Sequence, residues 1–385
     1  APDIPGFGNS RFGLSRARQS RVLGSMHVLV LGSTGFVGQQ VLSILLERQY
    51  TVWCLVRTEP PSASVHVIRG SVESQSDIAA AIGDSCCDVV INLAGVYAWW
   101  LPDPQRFEAI NVQGVANILG AIAQCSIDTR PRLVHVSTVL AYGRPQGRGL
   151  TDATAFDEDA APGPTTSRYA ASKQAGDDLV RTALASGAAS GCICFLACCV
   201  GADPKLMARE CDVMRIRDLV DGSLPAVISS GATFTYVYVK DAAEAIVRAS
   251  AMHDPAAADG ACYLIGEGRL RTSEYYAMIE ELCGTPRPRR EVPAWLAMLG
   301  ARILTRYADQ VTRQMPTAPL DLVRTASSGT LLFDAGRTTA ALGMKYTPIR
   351  TAFAEAIDYI TDAMTGSEAM AEQAAEREAL VDKEM

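Results

Sequence analysis

Tyr169 and Lys173 stand four residues apart in Ser167-Arg168-Tyr169-Ala170-Ala171-Ser172-Lys173. On a helix, positions i and i+4 share a face, so the ammonium can sit beneath the phenol. A nearby cation favours phenolate and lowers the tyrosine pKa from its ordinary value of ~10. A tyrosine tuned in this way exchanges a proton with an alcohol or a carbonyl near neutral pH. Two unrelated surface neighbours share the same spacing, so the surrounding elements decide its meaning.

The first of those elements is a glycine-rich turn. The apolar strand His27-Val-Leu-Val-Leu31 runs into Gly32-Ser33-Thr34-Gly35-Phe36-Val37-Gly38, and a helix with Val37, Val41, Ile44 and Leu45 on its inner face follows. Strand, glycine turn and helix in that order are what a dinucleotide site requires. Gly32 permits the tight turn, Gly35 the approach of a pyrophosphate, and Gly38 close helix–strand packing. The helix N-terminal amides then face the anion. The spacing is G-x-x-G-x-x-G, not the G-x-G-x-x-G of many dehydrogenases. The next strand, Thr51 to Arg57, ends on an arginine where an acid would bind the ribose hydroxyls. Arginine pairs with a 2′-phosphate, which favours NADP(H) over NAD(H).

Further strands are expected at 65–68, within 88–95 and at 132–138, with a long helix over about 104–124 between the last two. The helix of Tyr169 and the run Gly191-Cys-Ile-Cys-Phe-Leu-Ala-Cys-Cys-Val200 come next. Alternating helices and uniformly apolar strands specify an α/β fold, a Rossmann-type doubly wound parallel sheet. Past residue 200 the rhythm loosens into a smaller, interleaved C-terminal substrate domain, with helices near 205–221, 241–252, 294–308 and 350–364. The expected divisions are 1–25, a basic arm or transit remnant; 26–200, the nucleotide-binding domain; 201–365, the substrate domain; and 366–385, a charged tail.

The 385 residues suffice for a substantial core, and 48% hydrophobic with 20% charged residues is ordinary globular composition. A net charge of −7 argues against nucleic acid as partner, and no run of ~18 apolar residues reads as a membrane span. Arg11, Arg16, Arg18 and Arg21 with no acid in 4–25 have the composition of an organellar transit segment. Eleven cysteines, four of them in the 191–200 run, read as small hydrophobes in a reducing compartment. They lack the Cys-x-x-Cys pairs of a metal site, and none is assigned. His135, inside the strand 132–138, reads as a satisfied core histidine.

Taken together these residues resemble the extended short-chain dehydrogenase/reductase family over about residues 26–365. The matching motifs are Gly32-x-x-Gly35-x-x-Gly38, Asn92-Leu93-Ala94-Gly95, Val136-Ser137-Thr138-x-x-x-Tyr142-Gly143, Tyr169-x-x-x-Lys173 and Phe234 to Asp241. Tyr97-Ala-Trp99-Trp100-x-Pro-Asp-Pro104 and Asn111-Val-x-Gly114 look closest to the dihydroflavonol-reductase-like and 3β-hydroxysteroid-dehydrogenase-like branch. The resemblance implies Tyr169 as general acid/base and Lys173 as the residue that tunes it and binds the nicotinamide ribose. It implies Thr138 as the hydroxyl that holds the substrate oxygen, with Ser137 as alternate, and Asn111 as support for a proton relay. Leu93, Ala94 and Gly95 would line the cofactor. Three segments depart from the family pattern: Gly70-Ser71-Val72 near adenine, Phe195-Leu196 for Arg-Pro, and Thr138-Val139-Leu140 for the Thr-Asp-Glu of dehydratases.

Tyr97, Trp99 and Trp100 follow the fourth strand at its C-terminal end, where ligands bind in such sheets. Aromatic residues there suggest an apolar or ring-shaped substrate. The expected function is ketone–alcohol interconversion with NADP(H). The alternatives are a nucleotide-sugar epimerase with retained NAD and a cofactor-holding assembly subunit. The chain is expected as a homodimer or in an organellar complex; a large assembly favours the subunit reading, and a free, active dimer disfavours it.

Overall fold

Runs such as Val28–Leu31 and Val89–Asn92 are buried throughout, as strands covered on both faces must be. The computed structural model describes residues 26–384 except 59–61, 146–148, 150, 208–213, 230 and 253–259. The basic arm 1–25 lies outside the described residues. In chain order the first half holds β1 (His27–Leu31), α1 (Phe36–Glu47), β2 (Thr51–Val56), β3 (His66–Arg69), α2 (Gln75–Ser85) and β4 (Val89–Asn92). It continues with α3 (Gln105–Glu108), α4 (Gly114–Ala123), β5 (Arg132–Thr138), α5 (Arg168–Ala185), β6 (Gly191–Leu196) and β7 (Cys198–Val200). The second half holds α6 (Ile216–Val220), β8 (Val227–Ser229), β9 (Thr233–Tyr238), α7 (Val239–Ser250), β10 (Cys262–Ile265) and β11 (Gly268–Arg271). It ends with α8 (Thr272–Cys283), β12 (Glu291–Pro293), α9 (Ala294–Tyr307), α10 (Leu320–Ser327), α11 (Gly336–Leu342) and α12 (Ile349–Glu384).

Seven parallel strands form the main sheet in the order β10-β6-β5-β4-β1-β2-β3. The doubly wound α/β reading holds. Strand order reverses between β1 and β4, and the crevice at their C-terminal ends is where such sheets bind ligands. Helices α1 and α7 pack together, and α4 packs against both α2 and α5. β10 and α7 return from the second half of the chain to complete this layer. A second core joins β9 to α8 and α12 around Tyr236, Tyr275 and Phe353, whose ring centroids lie 5.6–6.1 Å apart.

Two expectations change. The helix expected over 104–124 contains a π-helical turn, Ala109–Gln113, between α3 and α4. The helix expected over 205–221 is a 3₁₀ turn, Pro204–Met207, and the short α6, with 208–213 outside the described residues. An Arg at 215 with φ +59° starts that second piece and prevents one continuous helix.

Candidate active site

Gly32 leaves β1 with φ +84°, a conformation open chiefly to glycine. A Cβ there would lie 2.6 Å from the backbone of Leu93 and Ala94, so the turn packs directly on the end of β4. A Cβ on Gly38 would lie 2.3 Å from Gly32 O, which lets α1 start against the turn. Gly35 caps α1 without a side-chain bond, and no acid stands in the first turn. The free amides of that turn, including those of Phe36 and Val37, are thus left for an anion. Ser33, in the turn itself, is buried. These features fit the pyrophosphate of a dinucleotide.

Lys205, from the 3₁₀ turn, donates its ammonium to Thr34 O at 3.1 Å, and Gln39 reaches the same oxygen at 3.3 Å. The loosened rhythm past residue 200 hid this cation. It stands 171 residues from its partner and carries no local motif. Lys205→Gln is expected to weaken cofactor binding by about 2–5-fold, as for an exposed charge contact. An isotherm unchanged by the substitution at low salt would refute this role. Arg57 lies exposed just beyond β2 and has no partner among the described residues.

At the C-terminal end of β5 two adjacent hydroxyls have different partners. Ser137 is buried and donates its Oγ to Asp177 Oδ2 at 2.7 Å. Thr138 accepts from Leu140 N at 3.3 Å, and its hydroxyl lies near enough to the Tyr169 phenol to pull that phenol down. Thr138 is thus the hydroxyl beside the phenol, and Ser137 belongs to the layer beneath. Ser167 begins α5 by accepting from Ala170 N at 3.1 Å, which brings Tyr169 into the first turn.

Lys173 is buried and donates to Val136 O at 2.9 Å. Its ammonium is pushed down from the usual lysine range by burial, opposed by the Asp177 charge. The expected lowering of the tyrosine is not what the geometry produces. Burial pushes the Tyr169 phenol above its ordinary range, the Asp177 charge adds to this, and the Thr138 hydroxyl opposes it. Burial outweighs helix spacing here, and the Lys173 ammonium donates to the carbonyl of Val136 on the strand.

Asp177 escaped the sequence reading, although it continues the stripe Tyr169, Lys173, Asp177 at four-residue intervals along α5. Its carboxylate also meets His135 Nε2 at 3.1 Å, and His135 Nδ1 faces Asn92 Nδ2 at 3.1 Å. Burial and the Lys173 charge push His135 down, so the ring is neutral: Nε2–H donates to Asp177 and Nδ1 accepts from Asn92. Asn92 Oδ1 in turn accepts from Ala94 N at 3.1 Å and orients the segment leading to Gly95.

Asn111, in the π-helical turn, is buried and fully bonded. It accepts from Val96 N at 2.9 Å, and its Nδ2 donates to Val96 O at 3.1 Å and Ser172 Oγ at 2.9 Å. Its side chain ties the loop after β4 to α5. A Cβ on Gly176 would lie 2.3 Å from Asn111 O, so glycine there lets α5 approach the turn.

Of the three loop aromatics, Tyr97 meets Tyr169 directly, with ring centroids 4.6 Å apart. Tyr97 is 45% exposed, so it covers the site from the solvent side. Trp99 is buried and meets Tyr97 edge-on at 5.9 Å. Trp100 turns its indole to Asp309 Oδ1 at 2.8 Å and, with Trp99, Phe107, Arg168 and Thr305, lines a cavity of about 120 Å³. The tryptophans therefore hold the loop that carries Tyr97. The ten described cysteines are free thiols. Cys198 and Cys199 lie near Tyr169, just past the departing Phe195-Leu196 segment. Among the described residues no cluster has the makings of a metal site.

A model of the NAD dependent epimerase/dehydratase family matches residues 28–266. The chain is 25% identical over 338 residues to a Synechocystis sp. protein provisionally named dihydroflavonol 4-reductase, covering 86% of this chain and 93% of that one. It is 27% identical over 279 residues to the dTDP-6-deoxy-L-talose 4-dehydrogenase (NAD(P)(+)) of Kitasatospora kifunensis, covering 69% and 82%. The UDP-glucose 4-epimerase of Thermotoga maritima superposes with a TM-score of 0.67 over 88% of this chain and 100% of that one, at 16% identity, a likeness of fold alone. The chain belongs to the NAD-dependent epimerase/dehydratase family, the extended short-chain dehydrogenases/reductases, and is an NAD(P)-dependent enzyme of that type.

Proposed function

We propose that the protein interconverts a ketone and a secondary alcohol on a largely apolar or ring-shaped substrate with NADP(H). The carrying observation is the Tyr169 phenol in the first turn of α5, packed under the ring of Tyr97 at 4.6 Å and near the Thr138 hydroxyl that ends β5. A bound nicotinamide supplies or takes the hydride. Thr138 holds the substrate oxygen, and Tyr169 gives it a proton in reduction or takes one in oxidation. Lys173, anchored on Val136 O, supports the ribose side of the same face. Tyr97 and the buried Trp99 behind it offer rings for an apolar body to pack on.

Arg57 supports the choice of cofactor: a guanidinium without a described partner stands where the adenosine ribose is expected. Arg57→Ala is expected to weaken NADPH binding by about 10–100-fold, the range for a charged hydrogen bond, and to leave NADH nearly unchanged. Equal affinity of the unaltered protein for NADPH and NADH would refute the preference. Mass spectrometry of the nucleotide that copurifies tests the same point. Tightly retained NAD with no net turnover would move the reading to an epimerase. The basic composition of 1–25 supports an organellar destination, which localisation of a fluorescent fusion would test.

A further inference from the structure

Helix α9 is built with its large apolar residues outward. Ala294, Ala297, Met298, Ala301 and Thr305 face the protein, and Ala301 is 1% exposed. Trp295, Leu299, Ile303 and Tyr307 recur every four residues on the opposite face, with exposures of 70%, 49%, 62% and 55%. Val311, 61% exposed, extends the stripe into the π-helical turn Ala308–Thr312. At 1.5 Å per residue the stripe is about 24 Å long. Other exposed apolar residues, such as Ile127 and Val67, stand singly.

The charges around the stripe are of one sign. The helix has no acid, and Arg302 and Arg306 border the apolar face on one edge. Arg289 and Arg290 lie exposed just before β12, which leads directly into the helix. From 287 to 313 six arginines stand against Glu291 and Asp309, in a chain whose net charge is −7. A short helix with a tryptophan-bearing apolar face and an arginine edge suits the interface of an anionic bilayer. No helix among the described residues is long and apolar enough to cross one.

We propose that α9 is a docking surface for an anionic lipid bilayer, on which it lies in the plane of the headgroups. Charge selects this occupant. A second copy of the chain would bring a like-charged arginine edge to the same face. The arm 1–25 carries Arg11, Arg16, Arg18 and Arg21 and is repelled likewise. The placement is independent of the redox reading. It puts the membrane beside the Trp100–Asp309 bond, which joins the end of α9 to the loop that carries Tyr97.

The test is flotation of the full chain with vesicles of phosphatidylcholine alone and of phosphatidylcholine with phosphatidylglycerol. Binding is expected to the mixed vesicles only, with a blue shift of Trp295 emission that Trp295→Phe removes. The pair Arg302→Ala and Arg306→Ala is expected to lower partitioning by about thirtyfold, and Leu299→Asp with Ile303→Asp to abolish it. These positions are exposed, so unchanged circular dichroism and melting would show that the fold is kept. Absence of binding to mixed vesicles, or equal binding to both kinds, overturns the proposal. So does a stable dimer that Leu299→Asp dissociates, which assigns the face to a second copy.

Discussion

Tyr169→Phe is expected to lower turnover by about 10²–10⁴-fold while NADPH binding and the melting temperature stay close to those of the unaltered protein. The substitution removes one hydroxyl near Thr138 and keeps the ring that packs on Tyr97. The same residue sets an asymmetric pH dependence. Burial and the Asp177 charge hold its phenol above the ordinary tyrosine range, so it is protonated at neutral pH. Reduction needs a proton donor and has one throughout the neutral range. Oxidation needs the phenolate, so its rate rises as pH climbs toward that raised pKa. Stopped-time assays in both directions across pH would check this. Full activity of the phenylalanine variant, or an oxidation rate that falls with rising pH, would remove Tyr169 from the role.

Asp177→Leu is expected to destabilise the fold by about 3–5 kcal/mol, the cost of taking one partner from a buried charge cluster. Ser137 Oγ, His135 Nε2–H and the Lys173 charge would lose the group they share in the interior. Asp177 is 2% exposed and Lys173 is 5% exposed, so water cannot take its place. Urea unfolding measures the effect, and a loss below ~1 kcal/mol would show that the cluster is not a unit. Asp177→Asn keeps the shape and removes the charge. Because that charge raises both Tyr169 and Lys173, the asparagine variant lets both fall. The alkaline rise of oxidation should then move to lower pH, a displacement that a merely structural aspartate would not cause.

Much of this organisation is legible in the chain. Strands buried on both faces must be apolar throughout, so β1, β4 and β5 announce themselves, and helices between them force a parallel sheet. The glycine positions follow from local geometry, since Gly32 needs positive φ and Gly38 must admit the turn's own carbonyl. The Tyr169–Lys173 spacing survives as one face of α5. Its electrostatic consequence does not, because burial of the phenol in the packed interior dominates it.

Other decisions rest on contacts between distant segments. Ser137 and Thr138 are neighbours with the same functional group, and only the docking of α5 on β5 turns one to Asp177 and leaves the other beside Tyr169. Asn111, expected to support a proton relay, is directed by a π-helical turn into bonds with Val96 and Ser172 that no local pattern announces. Lys205 reaches the glycine turn only through the packing of the second half of the chain. In α9 the apolar pattern is plain in the sequence, yet which face is buried is not: alanines pack close enough to fill the inner contact, and the bulky residues are left outside. The sequence by itself determined the element types, the glycine turn and the shared helix face of Tyr169 and Lys173, since each follows from local backbone geometry or helical period. Tertiary structure alone decided the partner of each polar side chain and the exposed face of each helix, since burial and long-range contact are properties of the whole packing.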